Sequence, residues 1–203
     1  MSVALRLQES IDRWHLLNSI FYQSWSAGTL PLGALRSYAR EYGAFISLVP
    51  NGWASHDDHV IAAEERAHVE LWRRFARALG TEIGVPHVPA VRDLVKAAER
   101  LFSERACALG ALYGFEAQQP AAAKSKLEGL RAHYDLPESA QAYFIVHADD
   151  DSEPNLLLER IRQLPRGERD RAASACGEMC QALRAALDGL AAPHFEYLAV
   201  SSN

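Results

Sequence analysis

Apolar residues recur in this chain at intervals of three and four from one end to the other, and no segment alternates with the two-residue period of a strand. Leu35, Tyr38, Tyr42, Phe45, Ile46 and Val49 form one such stripe. No run of alternating Val, Thr and Tyr occurs, and no Asn-Gly turn joins two apolar runs. A chain patterned in this way is confined to packing helix on helix. Its punctuation gives the lengths. A first helix is predicted over residues 4–26, with a kink near Asn18-Ser19 and a stop at Gly28. Thr29-Leu30-Pro31 starts a second, which Pro50-Asn51-Gly52 closes. A third runs from about Ser55 to Leu79, and Gly80 ends it. After the turn-rich stretch Gly84 to Pro89, helices are predicted over residues 89–103, 104–118 and 120–132. Leu136-Pro137-Glu138 opens another that reaches His147 and Asp151, and Pro154 marks a kink or restart. The last begins at Arg166 and ends near Gly189. Without repeats or a linker, residues 1–203 read as a single all-α domain of seven or so helices.

Of the 203 residues, 49% are hydrophobic, enough to bury a core that needs no disulfides. The odd set Cys107, Cys176 and Cys180 has no framework spacing, so these thiols read as packing residues of a reducing compartment. A net charge of −5 offers no attraction for nucleic acid or an anionic membrane. No apolar stretch reaches membrane-spanning length. The opening Met-Ser-Val-Ala-Leu-Arg is soon interrupted by Gln8, Glu9, Asp12 and Arg13, unlike a secretory leader, so the expected location is the cytoplasm.

Three groups of acid and histidine stand out from this background: Glu64-x-x-x-His68, Glu116 inside Ala111-Leu-Tyr-Gly-Phe-Glu-Ala-Gln, and His147-x-x-x-Asp151. Residues four apart share a helix face, about 6 Å apart along the axis. Such a pair also suits an exposed ion pair. Glu116 is the sharper signal, because it interrupts an apolar face and a buried carboxylate needs a cation or hydrogen-bond donors. Pointed into one bundle, these carboxylates and imidazoles could hold one or two iron or manganese ions and leave coordination positions open for O2.

The segment Phe21-Tyr-Gln-Ser-Trp25 through Glu41-Tyr42 resembles the opening of the heme-oxygenase-like proteins of the TenA, PqqC and CADD group. His68-Val-Glu-Leu-Trp72, Phe115-Glu-Ala-Gln-Gln-Pro-Ala-Ala-Ala-Lys-Ser-Lys126 and Tyr143-Phe-Ile-Val-His147-x-x-x-Asp151 are similar to three further blocks, in family order. The resemblance covers roughly residues 10 to 160 and implies a seven-helix heme-oxygenase-like bundle that forms a homodimer. Its nearest branch is CADD-like, with a non-heme di-iron or iron/manganese centre and O2 as co-substrate. By motif position Glu64, His68, Glu116, His147 and Asp151 match the metal ligands, with Glu65 as the alternative to Glu64. In that branch p-aminobenzoate is made from atoms of the protein itself, and the tyrosine and lysine implicated fall at Tyr22 and Lys126. This chain departs from the pattern in three places. A second histidine normally follows the Asp by three positions, and here Pro154 stands there, leaving Glu153, Asn155 or water to fill the gap. Phe115 replaces a frequent Tyr, and Ser19-Ile20 replaces His-Pro.

Three functions therefore stand as expectations. The first is a non-heme iron or manganese oxygenase acting on a small molecule or on its own Tyr22, with Lys126 as amino donor. The second is a metal-free TenA/PqqC-like protein for an aromatic heterocycle, with Glu116 and His147 moving protons. The third is a non-catalytic bundle that binds a partner through an apolar groove. Trp53, Trp72, Tyr38 and Tyr42 read as core or pocket wall.

Overall fold

A computed structural model describes the backbone of residues 2–200 and the side chains of residues 2–194. Among the described residues there is no strand. The helices are α1 (Val3–Arg13), α2 (Ile20–Ser26), α3 (Leu32–Glu41), α4 (Gly43–Ile46), α5 (Val49–Ala54), α6 (His59–Ala78), α7 (Pro89–Phe102), α8 (Arg105–Glu116), α9 (Gln119–His133), α10 (Ala142–His147), α11 (Ser152–Gln163) and α12 (Arg166–Val200). Single 3-10 turns at Leu16–Asn18 and Glu138–Ala140 lead into α2 and α10. No described helix is long and apolar enough to cross a membrane.

More segments appear than the seven rods expected, because several rods are broken rather than bent. The kink near Asn18-Ser19 is a full break: Ser19 caps α2, its hydroxyl accepting from the Tyr22 N–H at 3.2 Å. The stretch from α3 to α5 runs end to end with brief interruptions at Tyr42 and Ser47-Leu48. The predicted helix through His147 and Asp151 ends at His147 and restarts at Ser152. Asp150 drives the restart by accepting from both the Ser152 N–H at 2.9 Å and the Ser152 hydroxyl at 2.6 Å. Pro154 sits in the first turn of α11, where a missing N–H leaves no helical bond unmade.

α8 is the axis of the bundle. Every residue from Ala108 to Glu116 is buried, so beyond its first turn this helix has no solvent face. It packs against α12 on one side and against α11, α5 and α7 on others. The α8–α12 approach is closest at Gly110, where a Cβ would overlap the Ala172 backbone carbonyl. One turn on, Gly114 lies against Cys176 and Cys180, and the Cys180 thiol donates to the Gly114 carbonyl at 3.5 Å. Both cysteines are buried and free, as packing residues would be. This tight contact leaves the opposite side of α8, toward α5 and α11, free to carry Glu116 inward.

Candidate metal centre

α6 presents its buried stripe at Ala62, Glu65, Val69, Trp72 and Ala76, spaced by three and four. Glu65, 3% exposed, therefore takes the inner position, whereas Glu64, the residue expected to ligate, is exposed. A rotation of 100° per residue separates the two. His68 lies half-buried at the edge of the stripe, its Nδ1 hydrogen-bonded to Glu65 Oε1 at 2.8 Å. From α10, His147 brings its ring to 4.6 Å from that of His68, centre to centre. Ligand atoms of Glu65, His68 and His147 all lie within 4.8 Å of one another.

The tautomers follow from these partners. His147 Nδ1 donates to the Tyr143 carbonyl at 2.7 Å, which leaves the Nε2 lone pair free. Burial holds His147 neutral, down to about 4, against the pull of that backbone bond. At His68 burial works against the charged form, but the Glu65 hydrogen bond and charge outweigh it and raise the pKa. A metal ion would displace that proton.

Glu116 stands outside the 4.8 Å group but borders it. It is 2% exposed, and its Oε1 is closed off from water with no hydrogen-bond partner. Burial raises its pKa well above the ordinary value, and the charges of Glu153, Glu65 and Asp150 push the same way. Burial raises Glu153 to about 8, with Glu65 adding to it. Asp151, the expected ligand on this corner, is exposed beyond the end of α10, because the helix break cancels its four-residue register with His147. Glu153, in the first turn of α11, comes in instead.

Glu41 supplies a contrast. It is also buried, but its Oε2 accepts from the His87 and Val88 N–H groups at 2.7 and 2.9 Å. Its role is to hold a loop. Glu65 instead lies within 4.8 Å of two imidazoles, the charges of Glu65 and Glu153 reach Glu116, and Glu116 Oε1 has no partner at full hydrogen-bonding geometry. Carboxylates gathered beside two imidazoles form a donor set for a cation, and hard oxygens with borderline nitrogens suit iron. The residues present fit the ion.

Deeper in the core lies a second cluster. The Tyr22 and Tyr38 hydroxyls are 3.0 Å apart, and Lys126 Nζ donates to each at 3.4 Å. Lys126 is 3% exposed, with its ammonium nitrogen 5.0 Å from the Tyr22 ring centre and 5.2 Å from that of Phe144. Burial lowers its pKa to about 7 and raises that of Tyr22. The family resemblance singles out Tyr22 and Lys126, whereas Tyr38 reads as wall, since its hydroxyl has no sequence signature. The two clusters are joined through packed rings: Tyr143 lies 4.3 Å from His147 and 4.8 Å from Trp72, and Trp72 lies 5.2 Å from Tyr38.

Residues 54–186 match the model of a family described as iron-containing redox enzyme. A 4-aminobenzoate synthase of Chlamydia pneumoniae is 32% identical over 180 residues, spanning 76% of this chain and 80% of that protein. A 4-aminobenzoate synthase of Chlamydia muridarum is 29% identical over 215 residues, spanning 93% of this chain and 89% of that one. Among solved structures, a domain of unknown function with a heme oxygenase-like fold from Shewanella denitrificans superposes with a TM-score of 0.75 at 16% identity, covering 100% of this chain and 96% of that one. The fold is thus heme-oxygenase-like, as the motif order implied.

Proposed function

The chain belongs to the iron-containing redox enzyme family, and on that premise we propose that it is an O2-dependent non-heme iron oxidoreductase that forms 4-aminobenzoate from its own Tyr22 and Lys126. The observation that carries this reading is the group Glu65, His68 and His147 within 4.8 Å, bordered by the partnerless Glu116. In our reading Glu65, His68 and His147 hold one ion. Glu116 and Glu153 complete the centre and admit a second ion, iron or manganese, with Glu153 standing in for the histidine that Pro154 replaces. Glu64 and Asp151 are left out of this set. Bound iron would supply activation of O2, the one step for which no side chain here is suited.

The chain's own residues do the rest. In 4-aminobenzoate the amino group stands opposite the carboxyl group on the ring, as the tyrosine hydroxyl stands opposite Cβ. Nζ of Lys126, 3.4 Å from the Tyr22 hydroxyl oxygen, therefore neighbours the ring carbon that must accept nitrogen. With its pKa near 7, Lys126 is substantially neutral at physiological pH and carries the lone pair that an attacking amine requires. Tyr38 holds the Tyr22 hydroxyl in place and can pass its proton to Lys126. The surrounding Trp25, Phe21 and Phe144 rings keep water out of the pocket.

The test is to load the protein anaerobically with ferrous iron, admit O2, and follow O2 uptake, 4-aminobenzoate and intact protein mass together. The expected result is bound iron, O2 consumption and product in at most one equivalent per chain, with peptide mapping that finds Tyr22 and Lys126 altered. Product from an external substrate over many turnovers, with Tyr22 and Lys126 intact, would overturn the self-modification. Failure to bind iron would overturn the whole reading.

A further inference from the structure

Glu116 Oε1 and Trp53 Nε1 are both shut off from water, and both lack a partner at full hydrogen-bonding geometry. They belong to helices that pack directly on one another, α5 and α8. Burial raises the Glu116 pKa, and the Trp53 N–H is the neighbouring side-chain donor that works in the opposite direction. An indole N–H donates and cannot accept, and a carboxylate accepts, so the two orphans answer each other. Trp53 is fully buried, and Leu112 and Phe102 wall the neighbouring Gly52 closely enough to leave α5 little room to shift.

We propose that Trp53 is a positioning residue for the metal centre: its indole N–H fixes one oxygen of Glu116 and leaves the other turned to the ion. The inference rests on the metal reading above and adds to it a residue that touches no metal itself. An N–H on one oxygen disfavours two-oxygen chelation of a single ion by Glu116. It also pins a carboxylate that no other described donor holds. Sequence gives no hint of this, because a Trp at the end of a short apolar helix looks like any core aromatic.

The test uses cobalt(II), which reports its ligands through visible absorption and needs no O2. Trp53→Phe keeps the ring and removes the N–H. It should weaken cobalt(II) binding at the position served by Glu116 by roughly 10–100-fold and shift the visible bands. Trp14→Phe is the control for indole loss alone, since Trp14, at the end of α1, belongs to neither the metal cluster nor the Tyr22 pocket. It should leave both affinity and spectrum unchanged. Trp53→His keeps a ring N–H and should recover part of the lost affinity. Wild-type binding and spectrum in Trp53→Phe, where Glu116→Ala has lost an ion, would overturn the positioning role and leave the metal reading standing. A wild-type protein that takes up no cobalt(II) or iron would overturn both. If Trp53→Phe does not fold by circular dichroism, Trp53→His decides: a spectrum unlike the wild type at equal fold rejects the proposal.

Discussion

An amine in the core is tolerable only where its charge can be given up. Burial holds Lys126 near 7, far below its ordinary 10.5. The unfolded chain therefore binds the proton more tightly than the folded one. The resulting cost to stability is fully present below about pH 7 and falls away as the pH rises from there toward 10.5. Lys126→Met should accordingly stabilise the fold, by about 2 kcal/mol at pH 6, and by progressively less as the pH rises to 9 and beyond. Urea unfolding at both pH values checks this; a gain that grows with pH would contradict the burial of a neutral amine. A second residue-scale prediction separates neighbours on α6 and α11. Glu65→Ala should lose at least one iron per chain and Glu153→Ala should lower the stoichiometry, whereas Glu64→Ala and Asp151→Ala should retain wild-type iron by elemental analysis. Iron loss in Glu64→Ala with retention in Glu65→Ala would reverse the assignment of the inner face.

At the level of elements, the α6 choice was open to reading from the sequence. Ala62, Val69, Trp72 and Ala76 set a stripe whose missing member is position 65, not 64, so periodicity alone favours Glu65. What periodicity could not supply was the break between α10 and α11. The His147-x-x-x-Asp151 spacing assumes a continuous helix, and the local Asp150 bonds to Ser152 that end it win by side-chain geometry no pattern reveals. Pro154 announced a restart, but not which carboxylate the restart would turn inward. The existence and limits of α7, α8 and α9 followed closely from Pro89, Glu104 and Pro120, because caps and prolines act within one turn. The α8–α12 contact is legible only in three dimensions. Gly110 meets the Ala172 carbonyl with no space between, so Gly110→Ala must push the two longest-buried elements apart. The expected loss is about 1–3 kcal/mol despite the better helix propensity of Ala, measured as a drop in Tm. An unchanged or higher Tm would show that the contact is looser than described.

Taken whole, the proposed site draws on four helices of separate origin. Glu65 and His68 come from α6, Glu116 from the end of α8, His147 from the end of α10, and Glu153 from the start of α11. Burial, reinforced by the neighbouring carboxylates, raises the pKa of both Glu116 and Glu153, so the centre of the fold carries strained charges. An ion bound there would act as a cross-brace, and its binding free energy would add to folding because the unfolded chain offers no assembled site. At free metal a thousandfold above its dissociation constant the gain is about 4 kcal/mol, or roughly 8–16 °C in Tm for a chain of this size. The protection should not be spread evenly. α8 is buried from Ala108 to Glu116 and already locked to α12, so its exchange with solvent should barely change. The corner at residues 148–151, exposed at Asp149 to Asp151 and held chiefly by the Asp150–Ser152 bonds, should slow most when His147 and Glu153 are tied to a common ion. Hydrogen exchange with and without ferrous iron under argon measures this directly. Slowing confined to α6, α10, α11 and that corner is the expected outcome, and uniform slowing or none would mean that the ion does not bridge these helices.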